Sequence, residues 1–600
     1  MSTCLLAYLS TCLLVYLSTT LPIYQSTMLR TVPETINEEV DLYIRTYYSL
    51  LRSSQPIWVR SLEETHAGMR ASLHPKAEEP APDVPALVYA AMRLPACIYR
   101  IKLVLLGQSD EVFARRAGVN IGDWQQVYAP ARRRKMFFDG QGTLAAYISS
   151  VSDIDDLIPI LTAYQIEWNK LHQRLQPSEQ GVWLRRQTKK HKLSDSRQDK
   201  IRAALGLGQS DFRLLQRAWQ DEFFGAMRSL ATEPADLQLN LLAGSAADYR
   251  QAVQAWWRSV IHVGELNSVR QRPVYFVSSN PHSLPNLLNG YARQHRSEVL
   301  SYLQERNPDD LWQTWQTLIE KGGIAGQENL LYYLQRSFLA TQPQRYEQYN
   351  EHERGLGIHR VDSPHYLDVS SQVIELAQLD PALFDPRLQF PGLERLRQSR
   401  GLIINIDYPL GMAAYLVFSQ LSADLADIQG VYIMGKAASL NGRVGDVMIP
   451  NVVYDEHSKN TYLFRNSFRA ADVRPYLLYG DVFDNQKSVT VRGTFLQNRQ
   501  FMHVFYNEGY TDIEMEAGPY LSGIYEDIYP QRYPVNEIVN LFINAPYDIG
   551  ILHYASDTPY SRRQSLLTKS LSYFGVDATY AASIAILRRI LQLELARLGG

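Results

Sequence analysis

The sequence predicts an α/β protein: a C-terminal domain with a mixed central sheet flanked by helices, preceded by a large, mainly α-helical N-terminal region. Three observations carry this reading. From residue 401 onward, short apolar strand patterns alternate with helical ones, as in sheets covered by helices on both faces. From about 33 to 265, apolar residues recur at three- and four-residue spacing and strands are hard to find. The character changes near 272, where Pro273–Val277 reads as a buried strand feeding a polar loop, Ser278–Ser283.

In chain order, the first 27 residues repeat an eight-residue unit: STCLLAYL, STCLLVYL, STTLPIYQ. A membrane span needs about 20 mainly apolar residues, but Ser-Thr pairs interrupt this stretch. No basic segment precedes it, as a secretory signal would require. It is read as a translated DNA repeat ahead of a start near Met28, outside the fold; a membrane role is expected only if residues 1–27 are a genuine anchor.

Residues 28–265 are expected to form an α-helical domain. Its helices are Glu34–Leu51, Ala86–Leu106, Ile154–Leu175, Asp211–Ala231 and Ala246–Val263, with a Pro-rich break at Pro75–Pro85. Residues 266–400 hold a first strand of the α/β domain, then inserted helices over 296–350, a strand at Gly357–Val361 and a connector, Asp380–Pro391. In 401–600, strands are expected at Leu402–Ile406, Gly430–Met434, Asp446–Val453, Val489–Phe495, Glu537–Ile543 and Ile549–Ala555. Helices fall at Gly411–Ala423, Glu516–Tyr525 and Ala578–Leu598.

At 46% hydrophobic and 20% charged residues, the chain is globular rather than disordered. Its net charge of −2 argues against a generic polyanion binder. Two basic stretches, Arg185–Arg202 and Arg132–Lys135, are read as solvated helix faces; contact with nucleic acid or an acidic partner is the sharper alternative. Cys4, Cys12 and Cys97 cannot form a disulfide framework, which points to a reducing cytoplasm. No Cys/His cluster suggests a metal, and no cofactor is expected.

Two acidic sites lie where ligands of such sheets bind, beyond strand carboxyl ends. Glu514-Met515-Glu516 opens a helix, and Ser556-Asp557 follows a hydrophobic strand. Such a pair suits chemistry that builds positive charge on a sugar and negative charge on a leaving base. Acids favoured by a helix N-terminus and an Asp turn before Thr-Pro are the structural alternatives. The small residues of Met434–Gly442, followed by Gly445–Pro450, would let a ligand approach the backbone. In Gly493-Thr494-Phe495, the Phe face could stack on a base, with core packing as its alternative. His457 and His553 are read as structural, with assistance at the site as the alternative. Lys487 and Arg492 flank the base-side strand, where a phosphate could meet them.

Taken in this order, the motifs over about 401–598 resemble the nucleoside phosphorylase/nucleosidase superfamily. The resemblance implies that Met515 packs on the ribose and that Glu516 binds its hydroxyls. Asp557, beside Ser556, would hydrogen-bond or protonate the purine N7. Thr494 and Phe495 would line the base pocket. Gly435, Lys436, Ala437 and Ser439 would face ribose or phosphate, and Glu514 or a neighbour would position water. It also implies a homo-oligomer acting on a nucleoside or nucleotide, not on nucleic acid. Two departures stand out: Ala438 replaces a family Gly, and Lys436 stands where a small or polar residue is usual. A Gly-Asp-Pro-x-Arg phosphate loop has no clear counterpart, which favours hydrolysis over phosphorolysis. The long N-terminal region and Ser-Asp-Thr-Pro are similar to the AMP nucleosidases. The expected activity is hydrolytic cleavage of a purine N-glycosidic bond. The alternatives are a phosphorylase with inorganic phosphate as co-substrate, or a non-catalytic nucleoside or nucleotide sensor.

Overall fold

The computed structural model describes residues 38–187, 193–263, 269–320, 322–361, 367, 369–541, 545–558 and 575–599. The repeat at 1–27 lies outside the described residues, as do Lys189, Lys190 and Lys192 of the longer basic stretch. The chain is α/β with two mixed sheets. Among the described residues, no helix is long and apolar enough to cross a membrane.

The N-terminal region is rich in helix but is built on a six-stranded sheet that the sequence reading did not anticipate. Its strands are β1 (Ile57–Trp58), β2 (Leu103–Gly107), β3 (Gln125–Ala129), β4 (Arg132–Phe138), β5 (Thr143–Tyr147) and β6 (Gln238–Leu241), in the order β1-β6-β2-β5-β4-β3. The expected helix Ala86–Leu106 ends at Ala91; Pro95 and a 3-10 turn then lead into β2. A short, fully apolar strand such as Leu-Val-Leu-Leu cannot be told from a buried helix by periodicity. The basic stretch at Arg132 is likewise β4, not a helix face, and Arg134 is buried within it. The long helix Val151–Leu175 starts at Ser150, whose hydroxyl accepts from the Ser152 amide.

The second sheet has 11 strands. They are β7 (Val274–Ser279), β8 (Ile358–Val361), β9 (Ser371–Glu375), β10 (Leu402–Asp407), β11 (Ile428–Ser439), β12 (Val447–Asp455), β13 (Asn460–Leu463), β14 (Val482–Thr490), β15 (Asp512–Glu514), β16 (Ile538–Asn540) and β17 (Asp548–Asp557). β7 lies between β10 and β11 and runs parallel to both. β17 pairs with both β11 and β12, so β11, β17, β12, β14 and β15 close into a ring.

Helices cover both faces. Val576–Gly599 and Ile324–Ala340 pack on one side around Tyr275, Val277 and Ile403. Met412–Asp424, Ala517–Ile528 and Ala246–Ile261 pack on the other around Phe276, Ile404 and Val431. Trp256 and Trp257 thus belong to the second sheet's core, although the sequence boundary at 265 groups their helix with the N-terminal region. β14 ends at Thr490, short of the expected strand through Phe495, and Thr494–Leu496 is a 3-10 turn.

Candidate active site

The register of β11 brings the two acidic motifs together. Ala438 of β11 pairs with Ile513 of β15 on one side and with Asp557 of β17 on the other. Two strand spacings separate the flanking strands, about 10 Å. The Glu514–Glu516 segment leaves β15 there, so its carboxylates and Asp557 open onto the same cavity.

Glu514 and Glu516 have different surroundings. One oxygen of Glu514 accepts from the amides of Glu516 and Ala517, both at 2.6 Å, at the start of the helix Ala517–Ile528. Its other oxygen takes the hydroxyl of Thr490. Helix N-terminal amides need such acceptors, so most of the Glu514 carboxylate is already occupied. Among the described residues, the Glu516 carboxylate is held by the Gly411 amide alone, at 3.5 Å. Loss of solvation, reinforced by the neighbouring Glu514 charge, pushes its carboxyl up to about 8.

Asp557 accepts from the Ser556 hydroxyl at 2.8 Å. Burial raises its carboxyl above the usual range, opposed by Ser556 and by the charges of Arg93 and Lys436. A raised carboxyl pKa is what a group that donates a proton near neutrality needs.

The cavity has a volume of about 1220 Å³ and is walled by both parts of the chain. Of the residues singled out in the sequence, Glu514, Met515, Glu516, Thr494, Ser556, Asp557, Lys436 and Ala437 line it. Three do not. Phe495 is 1% exposed and sits edge-on to Tyr89 in the N-terminal core. The cause is the early end of β14, after which the chain turns toward the N-terminal half. Ser439 is the last residue of β11, paired with Asp512 and accepting from the Gly442 amide at 2.7 Å. Gly435 pairs with His553 in the β11–β17 ladder; open space lies where its Cβ would be, but it is not part of the wall.

His457, His553, Lys487 and Arg492 are also outside the wall. His553 is buried against Asp512 at 2.7 Å, and that carboxylate raises its pKa against the effect of burial. Lys487 donates to the Glu508 carbonyl at 3.0 Å, and Arg492 forks onto Asp155.

Sequence reasoning missed the cationic wall. Arg93, with its guanidinium 3.4 Å above the Tyr89 ring, stands near Asp557. Arg132 is bound to Asp156, and Arg134 bridges Asp153 and Asp156. The Nη1 of Arg134 and the Nε of Arg93 are buried with no hydrogen-bond partner among the described residues. Beyond β7, His282 is driven down to about 3 by burial and by Arg336, Arg360 and Arg133. The run Arg132–Lys135 was visible as charge; strand alternation was the signal that would have turned it toward a site.

Three solved structures have a distant likeness to this chain. A Streptococcus pyogenes S-adenosylhomocysteine nucleosidase is 8% identical, covering 54% of this chain and 99% of its own, with a TM-score of 0.28. Isoform 2 of uridine phosphorylase from Schistosoma mansoni is 10% identical over 32% and 70% of the two chains, with a TM-score of 0.23. A methylthioadenosine phosphorylase from an antarctic soil metagenomic library is 11% identical over 32% and 71%, with a TM-score of 0.24. A comparison with curated proteins finds no match. The sequence itself matches one family model over residues 59–592, and the chain belongs to that family, the family of unknown function DUF6909.

Proposed function

We propose that this chain hydrolyses the N-glycosidic bond of a purine nucleoside or nucleotide. The observation that carries the reading is the meeting of Asp557 and Glu516 on either side of Ala438 in one cavity, both with carboxyls raised by loss of solvation. Asp557 in its protonated form would hydrogen-bond the purine N7 and draw charge into the leaving base. Glu516 would accept from the ribose hydroxyls and stabilise the positive charge growing on the sugar. The C–N bond breaks with its electron pair going to the base, water bonds the anomeric carbon, and the proton that water loses balances the one the base takes up; the step as proposed needs no cofactor. The hydrogen bonds on Glu514 suit it to shaping the helix start beside Glu516 more than to activating that water.

A specific observation favours a phosphorylated substrate within this reading. Arg133, Arg336 and His282 stand together in the cavity wall beyond β7, and the field of nearby guanidiniums helps to keep His282 neutral. Asp407 already pairs with Arg133, and a phosphate would balance the remaining positive charge there.

The test is base release from purine nucleosides and their 5′-monophosphates, with and without inorganic phosphate, by the wild-type chain and Asp557→Asn. Release in phosphate-free buffer that falls at least a hundredfold in Asp557→Asn is the expected result. Release only with phosphate makes the protein a phosphorylase. Binding without release makes it a sensor.

A further inference from the structure

The first turn of the helix Val151–Leu175 reaches across from the N-terminal half to the turn that precedes the helix Met412–Asp424. Ser150 Oγ donates to the Leu410 carbonyl at 3.4 Å, and Ser152 Oγ accepts from the Met412 amide at 2.9 Å. Ser152 Oγ also lies 3.5 Å from His457 Nε2. On the other side of that ring, His457 Nδ1 is 2.9 Å from Asp455 Oδ1.

The proton positions follow from the chemistry of the end groups. Asp455 is fully buried, yet the neighbouring His457, with further hydrogen bonds from Ser458, more than offsets burial and holds its carboxyl below the usual range. Ser458 donates its hydroxyl to Asp455 Oδ2 at 2.6 Å. A carboxylate only accepts, so His457 Nδ1 carries hydrogen, and in the neutral ring that leaves Nε2 as an acceptor. The single hydroxyl hydrogen of Ser152 then points to His457, which leaves its lone pairs for the Met412 amide. That amide neighbours Gly411, whose own N–H is the hydrogen bond on Glu516.

Gly411 makes the contact close. It sits at φ 52° and ψ −119°, a conformation that favours glycine. A Cβ there would come within 2.3 Å of Ser152 Oγ and 2.7 Å of Ser152 Cβ. Ser152 has no solvent exposure and is outside the cavity wall. Although Ser152, His457 and Asp455 are ordered as a nucleophilic triad would be, the hydroxyl reaches no substrate and cannot act as a nucleophile.

We infer that Ser152, held by His457 and Asp455, is a positioning residue that fixes the Gly411 amide on Glu516 and so sets how tightly a ribose is bound. The N-terminal half is thereby part of the site's precision and not only its wall. This rests on the reading of Glu516 as the ribose acceptor. The groups that face Glu516 are Glu514 from β15, Arg132 from β4, His553 from β17 and Gly411 itself; only the last depends on Ser152.

The experiment measures dissociation constants in the non-cleaving Asp557→Asn chain. The ligands are the best-cleaved of adenosine, inosine and guanosine, and its 2′,3′-dideoxy counterpart. Ser152→Ala should weaken the ribonucleoside about tenfold, the effect of one lost hydrogen bond to a charged group, and the dideoxynucleoside less than twofold. His457→Gln, whose amide oxygen can replace Nε2 as acceptor, should retain ribonucleoside affinity, and His457→Leu should lose it. Equal weakening of both ligands would make Ser152 merely structural and overturn the inference, as would no change in either. A wild-type chain that prefers the ribonucleoside while Ser152→Ala keeps that preference sinks the inference alone. A wild-type chain that neither binds nor cleaves any purine nucleoside or nucleoside 5′-monophosphate sinks the functional reading, and this inference with it.

Discussion

Arg492, two residues past the end of β14, forks onto Asp155 of the N-terminal half, with Nε and Nη2 at 3.1 and 2.8 Å from one carboxylate oxygen. The other oxygen accepts from Tyr47 at 2.6 Å and Tyr48 at 2.8 Å. Asp155 is 1% exposed, so its charge depends on these three partners. Removing one partner of a buried pair costs more than the pair contributes, because the remaining charge stays desolvated. Arg492→Met should therefore lose about 3 kcal/mol of stability in urea unfolding at pH 7. The double variant with Asp155→Asn should recover part of that loss; equal or greater loss would show that Asp155 is not the charge at stake.

Glu516 makes ligand affinity depend on pH. Its carboxyl is pushed up to about 8, so below that pH the empty site is protonated. Ribose hydroxyls donate best to the charged form, and binding must then expel the proton. In the Asp557→Asn chain, ribonucleoside affinity should rise with pH, at most tenfold per unit, and level off above about 8. Glu516→Gln should bind more weakly and show no slope. Calorimetry in buffers of different ionisation enthalpy would register the expelled proton directly, and a flat wild-type profile would contradict the assignment.

Much of the second sheet was legible because its strands are short apolar runs bounded by turns and separated by helical patterns. Leu402–Ile406 and Ile549–Ala555 became the cores of β10 and β17. The acidic residues lay at strand ends, where main-chain geometry alone aims a side chain at a ligand. What could not be read came from across the chain. No local pattern tells that Phe495 leaves its strand to join Tyr89, that Arg93 stands beside Asp557, or that Ser152 meets Met412. These contacts join residues hundreds of positions apart, and periodicity carries no information about them.

Glu456 is a liability of the same junction. Its Oε2 accepts from the Arg492 amide at 3.0 Å, while its Oε1 is buried without a partner among the described residues. Burial raises its carboxyl from 4.5 to about 7. The folded state therefore favours the protonated form. The resulting stabilisation is full below the unfolded value near 4.5 and is lost as pH rises through about 7. Glu456→Gln cannot titrate, so it should match the wild-type chain near pH 4.5 and exceed it by about 2 kcal/mol above pH 7. Urea midpoints across that range would check it; a constant offset at all pH values would point to packing and not to titration.

Arg336 offers a clean probe of the phosphorylated-substrate reading. It lines the cavity, is exposed, and helps to suppress protonation of His282. Unlike Arg132 and Arg134, it has no ion pair among the described residues, so replacing it leaves no buried carboxylate behind. If the Arg133, Arg336 and His282 corner receives a phosphate, a nucleoside 5′-monophosphate should bind at least tenfold tighter than its nucleoside, since a charged hydrogen bond is worth about 1.5–3 kcal/mol. The advantage should shrink with added salt. Arg336→Met should remove most of it while leaving nucleoside affinity within twofold. The same substitution should also let His282 bind a proton more readily, because one of the charges opposing it is gone; histidine NMR titration would register that rise even with no ligand present. Equal affinities for nucleotide and nucleoside in the wild-type chain would assign that corner to something other than phosphate, while the rise at His282 would still report the local field.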